Sequence, residues 1–331
     1  MRRAVLPMAL LMAAAQGASS PPKALVYRGP AACDGCPEAV AQLLESSPWK
    51  FKVTYVGPDE DVDVDEDSLK GVDVYAQAGG PDLDDAYRRL KRYKKPLQDF
   101  VSSGGHYLGF CLGAFLAGHS PGFDLLPSEA DTDAETSQPG SQVTSDKDTV
   151  IQVDWTFVSG KTERNKWVYF QDGAVITGLD EEKMRSQNGR AGRILSRYSK
   201  TGDVAASVTP YGKGWVGLVG PHPEATQEWS AHGYSKDQST ETNTSLTILN
   251  LDSAYNITNP DGISFDIGYD FLNAALKGNA HSNNATQHSS KTSSPTATPT
   301  GAVSSSASVA AGSVLTNPIL RVIGLALAAF R

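Results

Sequence analysis

The chain has 331 residues, of which 40% are hydrophobic and 20% charged, and its net charge at pH 7 is -8. This length and composition suit one globular domain of roughly 250 residues with non-globular ends. Lysine and arginine are scattered rather than gathered into a basic stripe, so we predict no nucleic-acid partner.

The first 18 residues predict a secretory signal peptide. Met-Arg-Arg forms a short cationic start, AVLPMALLMAAA is an apolar run of secretory length, and AQGA offers small residues for cleavage near Gly17 or Ala18. The apolar run is too short to span a bilayer well. A buried N-terminal helix is the alternative to a signal peptide at residues 1–18.

Two of the three cysteines follow the first predicted strand, KALVYRG, in the segment ACDGCPEA. Cys33 and Cys36 are close enough to pair with each other, and an oxidising compartment favours such a disulfide. Cys111 is then left over, which indicates either a free reactive thiol or a small buried side chain. A mixed pairing that involves Cys111 and a redox-active C-x-x-C are further alternatives.

Strands and helices alternate through the first third of the chain. A helix predicted from CPEAVAQLLESS precedes a strand in KFKVTYVG, an acidic run at residues 59–69, and a strand in GVDVYAQAGG that ends at Gly79 and Gly80. The acidic run is more typical of a solvated loop than of a cation site. DDAYRRLKRYKKPLQDFVSSGG predicts one helix with a proline inside it, ending at Gly104, before the strand HYLGF. Such alternation predicts an α/β fold with a parallel sheet covered on both faces.

The second half of the chain is richer in strand patterns. Residues 123–148 form a polar, loop-like insertion to which the sequence assigns no function. Strand-like runs follow in TVIQVDWTF, KWVYFQDGAVIT, GRILSRYS and VAASVTPYGKGWVGLVG. A helix near ISFDIGYDFLNAAL is expected to close the domain.

The segment GGHYLGFCLGAFLAG places Cys111 between two glycines, where a predicted strand passes into a predicted helix. Strand, Gly-Phe-Cys-Leu-Gly and helix is the order of a nucleophile elbow, a sharp turn that presents the nucleophile at the start of a helix. The helix dipole and nearby N–H groups favour the thiolate there. The backbone N–H of Leu112 can donate to a developing oxyanion, and Gly79 and Gly80 are candidates for the second donor.

The segment GPHPEA supplies the groups that a thiolate nucleophile needs. His222 is the candidate base, and Glu224 is the candidate group that orients it. On an extended chain, side chains two residues apart point the same way. Taken singly, these two residues predict only a loop histidine and a surface carboxylate, whereas together with Cys111 they predict a catalytic triad.

The order Gly-x-Cys-x-Gly, an upstream Gly-Gly and a downstream His-Pro-Glu resembles the class I glutamine amidotransferases. ALVYRGP, YAQAGGPD, VSSGGHYLGFCLGAFLAG and YGKGWVGLVGPHPEA look more closely like the amidotransferase-like domain at the N-terminus of fungal biotin-protein ligases. The resemblance covers residues 22–277, less clearly beyond Gly233. It implies a flavodoxin-like three-layer α/β sandwich with a mainly parallel sheet. It also implies Cys111 as nucleophile, His222 as base and Glu224 as orienting group.

The sequence also departs from this pattern. It carries no biotin-ligase catalytic domain, so we expect no biotin transfer. Glutamine amidotransferases usually supply ammonia to a synthase, and the sequence encodes no such partner. We expect no cofactor and no metal site.

The C-terminal part of the sequence supports a secretory route. Residues 279–308 are rich in Ser, Thr, Ala and Pro, which is typical of an O-glycosylated stalk. The apolar tail at residues 309–331 predicts a GPI-anchor signal that is removed on attachment, with a single-pass tail anchor as the alternative. Three sequons suggest N-glycosylation, at Asn243, Asn256 and Asn284.

Two functional hypotheses follow from these features. One is a cell-surface cysteine hydrolase that acts on a small-molecule or peptide amide and is attached to the membrane through a lipid anchor. The other is a non-catalytic binding or structural protein that retains the fold. A redox sensor built on the three cysteines is a weaker third hypothesis.

Overall fold

The computed structural model describes residues 20–184, 190–226, 259–262 and 264–278, which all lie in one compact unit. The predicted signal peptide, the stalk, the apolar tail and the three sequons lie outside the described residues. Among the helices that are described, none is long and apolar enough to cross a membrane.

Eleven strands form one mixed sheet. In chain order they are β1 (Lys23–Tyr27), β2 (Lys52–Val56), β3 (Val74–Gln77), β4 (His106–Phe110), β5 (Asp131–Ala134), β6 (Thr149–Thr156), β7 (Thr162–Phe170), β8 (Ala174–Thr177), β9 (Arg193–Tyr198), β10 (Val204–Tyr211) and β11 (Gly214–Val219). The central strands β2-β1-β3-β4-β11 are parallel to one another. Their carboxyl ends therefore meet at one edge of the sheet, where ligand sites of such folds lie.

The remaining strands extend this parallel centre in an antiparallel manner. The order continues from β11 through β10, β9 and β6 to β7, while β8 pairs with β10 and β5 pairs with β8. β10 and β11 are adjacent in sequence and form a hairpin, with Gly212 at a φ of 56° in the turn. The sheet is therefore mixed, with a mostly parallel centre.

Two helical layers cover the two faces of the sheet. Within the described residues, the helices are α1 (Cys36–Ser46), α2 (Leu83–Leu90), α3 (Lys94–Ser103), α4 (Leu112–Phe115), α5 (Glu181–Met184) and α6 (Asp266–Lys277). Alternate residues of β1 enter different cores, since Val26 packs in the cluster of α1 and α6 whereas Leu25 packs in that of α2 and α3. This alternation makes a three-layer α/β fold in which both faces of the parallel strands are buried.

The prediction of a single helix before Gly104 is wrong. The structure divides it into α2 and α3, joined by a 3-10 turn at Lys91–Tyr93. Pro96 then falls in the first turn of α3 rather than inside a long helix. First-turn N–H groups have no partner within their helix, so a proline costs little at this place.

The insertion at residues 123–148 is not entirely loop. Asp131–Ala134 forms β5, which pairs antiparallel with β8 and leads into a short 3-10 turn at Glu135–Ser137. Its sequence, DTDA, has no alternating hydrophobic pattern. The strand forms because it pairs with the edge of β8, which is distant in sequence, and local sequence patterns do not predict such pairing.

We expect Asp270→Ala to destabilise the fold because Asp270 joins α6 to the antiparallel strands. Its Oδ2 accepts a hydrogen bond from Nε1 of the fully buried Trp155 at 2.9 Å, and its Oδ1 accepts from the N–H of Val158 at 3.0 Å. Leaving the buried indole N–H unpaired costs about 1–3 kcal/mol. Denaturant unfolding measures this loss, and Asp146→Ala, at an exposed position, is the matched control. Equal midpoints for the two variants would contradict the assignment.

Candidate active site

Cys111 lies between β4 and α4, at the carboxyl edge of the parallel strands. Its φ is 50° and its ψ is -107°, a backbone conformation that is uncommon for a residue with a side chain. Its N–H donates to the carbonyl of Val219 at 2.9 Å, which continues the pairing of β4 with β11. The side chain is 8% exposed, and Cys111 is the free cysteine of the described chain.

The glycines on either side of Cys111 permit a close backbone approach. A Cβ at Gly109 would overlap the carbonyl group of Gly113, and a Cβ at Gly113 would overlap the carbonyl oxygen of Gln77 at the end of β3. Both residues are therefore glycine for steric reasons. Together they allow α4 to start directly against β3 and β4, which brings Cys111 to the edge of the sheet.

His222 and Glu224 follow β11, the strand next to β4. Nδ1 of His222 and Oε1 of Glu224 are 2.8 Å apart, and the two residues are 2% and 0% exposed. The N–H of His222 donates to the carbonyl of Tyr169 at 2.8 Å, and the two rings meet edge to face with centroids 5.8 Å apart. Backbone and ring contacts thus both fix the position of the imidazole.

The structure brings His222 together with Cys111. Burial lowers the pKa of His222, but the charges of Glu224 and Cys111 and its hydrogen bonds to both side chains raise it, with a net increase to about 10. Both neighbours therefore favour the protonated form of the imidazole. The predicted nucleophile, base and orienting group occupy one buried cluster.

The predicted oxyanion groups lie at the same place. Leu112 begins α4, so its N–H belongs to the first turn, which has no acceptor within the helix. A Cβ at Gly80 would lie 2.5 Å from Cδ2 of Leu112, and a Cβ at Gly79 would lie 3.0 Å from Cε1 of His222. Both glycines thus border the cluster that contains Cys111.

Cys33 and Cys36 form a disulfide. Cys36 is the first residue of α1, and the N–H of Cys33 donates to the carbonyl of Gly79 at 3.0 Å. The alternative pairings with Cys111 are absent, because the disulfide joins Cys33 to Cys36. The disulfide lies beside the candidate active site, as the position of both cysteines after the first strand allows.

The turn between β7 and β8 also borders the site, and the sequence patterns did not predict this contact. The thiol of Cys111 donates to the carbonyl of Gln171 at 3.5 Å. Tyr169 precedes this turn, and burial, followed by the charge of Asp148, raises the pKa of its hydroxyl. As a thiol Cys111 can donate to Gln171, and as a thiolate it can accept from His222. A backbone carbonyl has no sequence signature, so only its position after a predicted strand could have suggested it.

The acidic run at residues 59–69 forms a surface loop whose carboxylates pair with arginines of neighbouring elements. Glu60 pairs with Arg28 at 2.6 Å and Asp63 pairs with Arg92 at 2.8 Å. Within the described ranges, no group of three or more His, Cys, Asp or Glu residues is arranged to hold a metal ion. These carboxylates therefore join the loop to neighbouring elements.

Comparisons with known proteins add little to this description. No family model matches the chain, and no curated protein matches it. The chain is similar to a protein described as a subunit of GMP synthase from Thermoplasma acidophilum, with 16% identity, a TM-score of 0.41, and coverage of 62% of this chain and 85% of that one. It is also similar to a glutamine amidotransferase, with 14% identity, a TM-score of 0.42, and coverage of 60% and 90%.

A third similarity is to the beta-galactosidase of Rahnella sp. R3, with 16% identity, a TM-score of 0.36, and coverage of 61% of this chain and 29% of that one. With TM-scores this low, none of these similarities supports a functional conclusion. The mixed α/β fold with its parallel centre is compatible with the amidotransferase-like fold that the sequence motifs imply.

We expect the His222 imidazole to titrate well above its ordinary range, because Glu224 and Cys111 stabilise its protonated form. A raised folded-state pKa contributes stability that is complete below the unfolded value of about 6.5 and is lost as pH rises toward 10. NMR of labelled histidine measures this titration directly. Cys111→Ala should lower the His222 pKa, whereas Asp146→Ala should not. An ordinary titration of His222 in the wild-type protein would contradict the expected influence of Glu224 and Cys111.

Glu135 is a buried carboxylic acid behind the β7–β8 turn, and its N–H donates to the carbonyl of Gly173 at 3.1 Å. Burial and then the charge of Asp203 raise its pKa from 4.5 to about 7, while the side chains of Ser141 and Thr201 oppose the shift. Between pH 4.5 and about 7, the Glu135 carboxyl is ionised in the unfolded chain but still protonated in the folded protein. The free energy of unfolding therefore falls as pH rises through this range. The loss is complete above about pH 7.

We therefore expect Glu135→Gln to be more stable than wild type at pH 8, by about 1–3 kcal/mol, with less change in stability between pH 4.5 and 7. Unfolding by urea across this pH range measures the effect. Glu45→Gln, at an exposed position on α1, is the matched control. Parallel pH profiles for Glu135→Gln and wild type would contradict the prediction.

Proposed function

We propose that this protein is a cysteine-dependent amide hydrolase of the glutamine amidotransferase-like type. The observation that carries the proposal is the meeting of Cys111 with the His222–Glu224 pair at the carboxyl edge of the parallel strands. Nucleophile, base and orienting group come from two adjacent strand ends, β4 and β11. The proposal therefore rests on the geometry of these side chains rather than on the fold.

In the proposed reaction, the Cys111 thiolate attacks the carbonyl carbon of the amide, and the carbonyl oxygen becomes an oxyanion. The N–H of Leu112, with an N–H from the Gly79–Gly80 turn, stabilises this charge. The His222 imidazolium then donates its proton to the leaving nitrogen as the carbon–nitrogen bond breaks, which leaves a thioester on Cys111.

Hydrolysis of the thioester uses the same groups in the opposite sense. The imidazole, now neutral, accepts a proton from water as the water oxygen attacks the carbonyl carbon. The carbon–sulfur bond breaks, the thiolate returns and the carboxylic acid leaves. Glu224 holds Nδ1 of His222 throughout, so that Nε2 faces the reacting groups and the positive charge is stabilised.

The proposed setting is outside the cytoplasm, with the protein attached to the cell surface by a GPI anchor. The disulfide between Cys33 and Cys36 supports this setting, because disulfides persist in oxidising compartments. The substrate would then be a small-molecule or peptide amide, and released ammonia or amine would pass to no synthase partner. The anchor and the signal peptide stand as proposals from the sequence.

A non-catalytic cell-surface role is the second candidate. The observation that favours it is the burial of Cys111, which is only 8% exposed. In that case the triad would be a buried polar network that stabilises the sheet edge. Cys111→Ser should then leave the cellular role intact.

Release of ammonia or amine from a panel of amino-acid and peptide amides tests the proposal. We expect turnover by the secreted wild-type protein and none above background by Cys111→Ala. We expect His222→Ala to lower kcat by about 10²–10⁴-fold, whereas Asp146→Ala retains wild-type kcat. Turnover by Cys111→Ala equal to that of wild type would refute the proposal. Labelling of Cys111 by an electrophilic amide analogue provides an independent readout.

A further inference from the structure

We propose that the Cys33–Cys36 disulfide is a positioning element of the active site, which holds the Gly79–Gly80 turn against His222 so that turnover requires the intact disulfide. This inference rests on the proposed amide hydrolysis. It assigns a catalytic consequence to a pair of cysteines outside the triad.

The contacts of Gly79 carry the proposal. A Cβ at Gly79 would lie 3.0 Å from Cε1 of His222, 3.3 Å from Sγ of Cys33 and 3.5 Å from Sγ of Cys36. The imidazole and both sulfur atoms therefore surround the position that a side chain at Gly79 would occupy. The disulfide packs against the same residue as the candidate base.

Hydrogen bonds extend this contact along the backbone. The N–H of Cys33 donates to the carbonyl of Gly79 at 3.0 Å, and the N–H of Cys36 donates to the carbonyl of Cys33 at 3.2 Å. A Cβ at Gly80 would lie 2.6 Å from the carbonyl oxygen of Ala31. The loop that contains Cys33 therefore covers both glycines of the turn.

The disulfide anchors this loop to a rigid element. Cys36 is 4% exposed and begins α1, whose Val40 and Leu43 are fully buried in the core. Cys33 itself belongs to an irregular loop rather than to a helix or strand. Without the disulfide, the loop would keep its hydrogen bonds and the buried Ala31, but it would lose its covalent cross-link to α1.

Glycine needs such an external restraint because it has no side chain that limits its backbone conformation. The Gly79–Gly80 turn is a candidate source of an oxyanion donor, and a displacement of about 1 Å at such a site can cost 100-fold in rate. Opening the disulfide would therefore loosen both the donor and the contact of Gly79 with His222.

The chemistry of opening is a thiol–disulfide exchange. Two thiol groups of a dithiol reductant give up two electrons and two protons, the sulfur–sulfur bond breaks, and Cys33 and Cys36 become thiols. Reductants ordinarily protect a cysteine nucleophile from oxidation. In this protein, a reductant strong enough to open the disulfide should instead lower turnover.

The test compares the full-length wild-type protein with Cys33→Ser/Cys36→Ser, before and after treatment with dithiothreitol. Mass spectrometry monitors the state of the disulfide. We expect at least a tenfold fall in kcat for the double variant and for the reduced wild-type protein, with KM changed less than threefold. The double variant should be insensitive to dithiothreitol. The melting temperature of each protein is measured in parallel, and turnover is assayed well below it.

The NMR titration of His222 and the rate of Cys111 alkylation by iodoacetamide at pH 7 separate positioning from stability. We expect both to change when the disulfide opens, because Gly79 contacts the imidazole. A lower melting temperature with unchanged kcat, titration and alkylation would overturn the proposal.

Gly79→Ala keeps both cysteines and so tests the contact without removing the disulfide. Its methyl group would press on His222 and Cys33, so we expect a similar fall in kcat. Wild-type kcat in this variant would also count against the proposal. If no amide is hydrolysed, the proposed function fails, whereas the titration and alkylation still decide whether the disulfide positions His222.

Discussion

The close approach of backbone around Cys111 is the constraint on which the site depends. Gly113 lies against the carbonyl of Gln77, and Gly109 lies against Gly113, so β3, β4 and the start of α4 come together without side chains between them. Cys111 then takes its uncommon backbone conformation because the chain must turn sharply from strand to helix. Parallel pairing of β4 with β11 brings His222 to the same edge.

Burial makes the three candidate groups interdependent. Isolated charges in such a place would cost several kcal/mol each, and mutual pairing offsets that cost. The imidazole lies between the carboxylate of Glu224 and the sulfur of Cys111, and its raised pKa reflects both neighbours. The raised pKa of the imidazole is therefore a property of the cluster rather than of the histidine alone.

Local sequence patterns predicted the groups that lie in short motifs. Cys111 between glycines and the His-Pro-Glu segment were recognisable because each is a short motif that follows a strand, although Pro223 and Glu224 lie in a turn rather than on an extended chain. The contact of Cys111 with Gln171 was not predicted, because Gln171 accepts through its backbone carbonyl. Glu135 was missed because its burial comes from the pairing of β5 with β8, which is distant in sequence.

The same distinction explains the errors in the fold. The helix pattern before Gly104 is continuous in sequence, but in a continuous helix Pro96 would remove the hydrogen bond to the carbonyl of Arg92, which lies in the 3-10 turn at Lys91–Tyr93. The sequence pattern placed Pro96 inside one long helix, because it does not distinguish a proline inside a helix from a proline in the first turn of a new helix. Long-range pairing with β8, not propensity, decides the existence of β5.

The order of β4 and β11 in the chain has a consequence for biosynthesis. These strands are neighbours in the sheet, yet the whole antiparallel part of the chain lies between them. A chain that emerges N-terminus first therefore presents β4 with an unpaired edge and Cys111 without its cover, until β11 is made. Cys33 and Cys36 are three residues apart and can join before Cys111 emerges. Early local pairing would leave the nascent Cys111 without a competing thiol in an oxidising compartment.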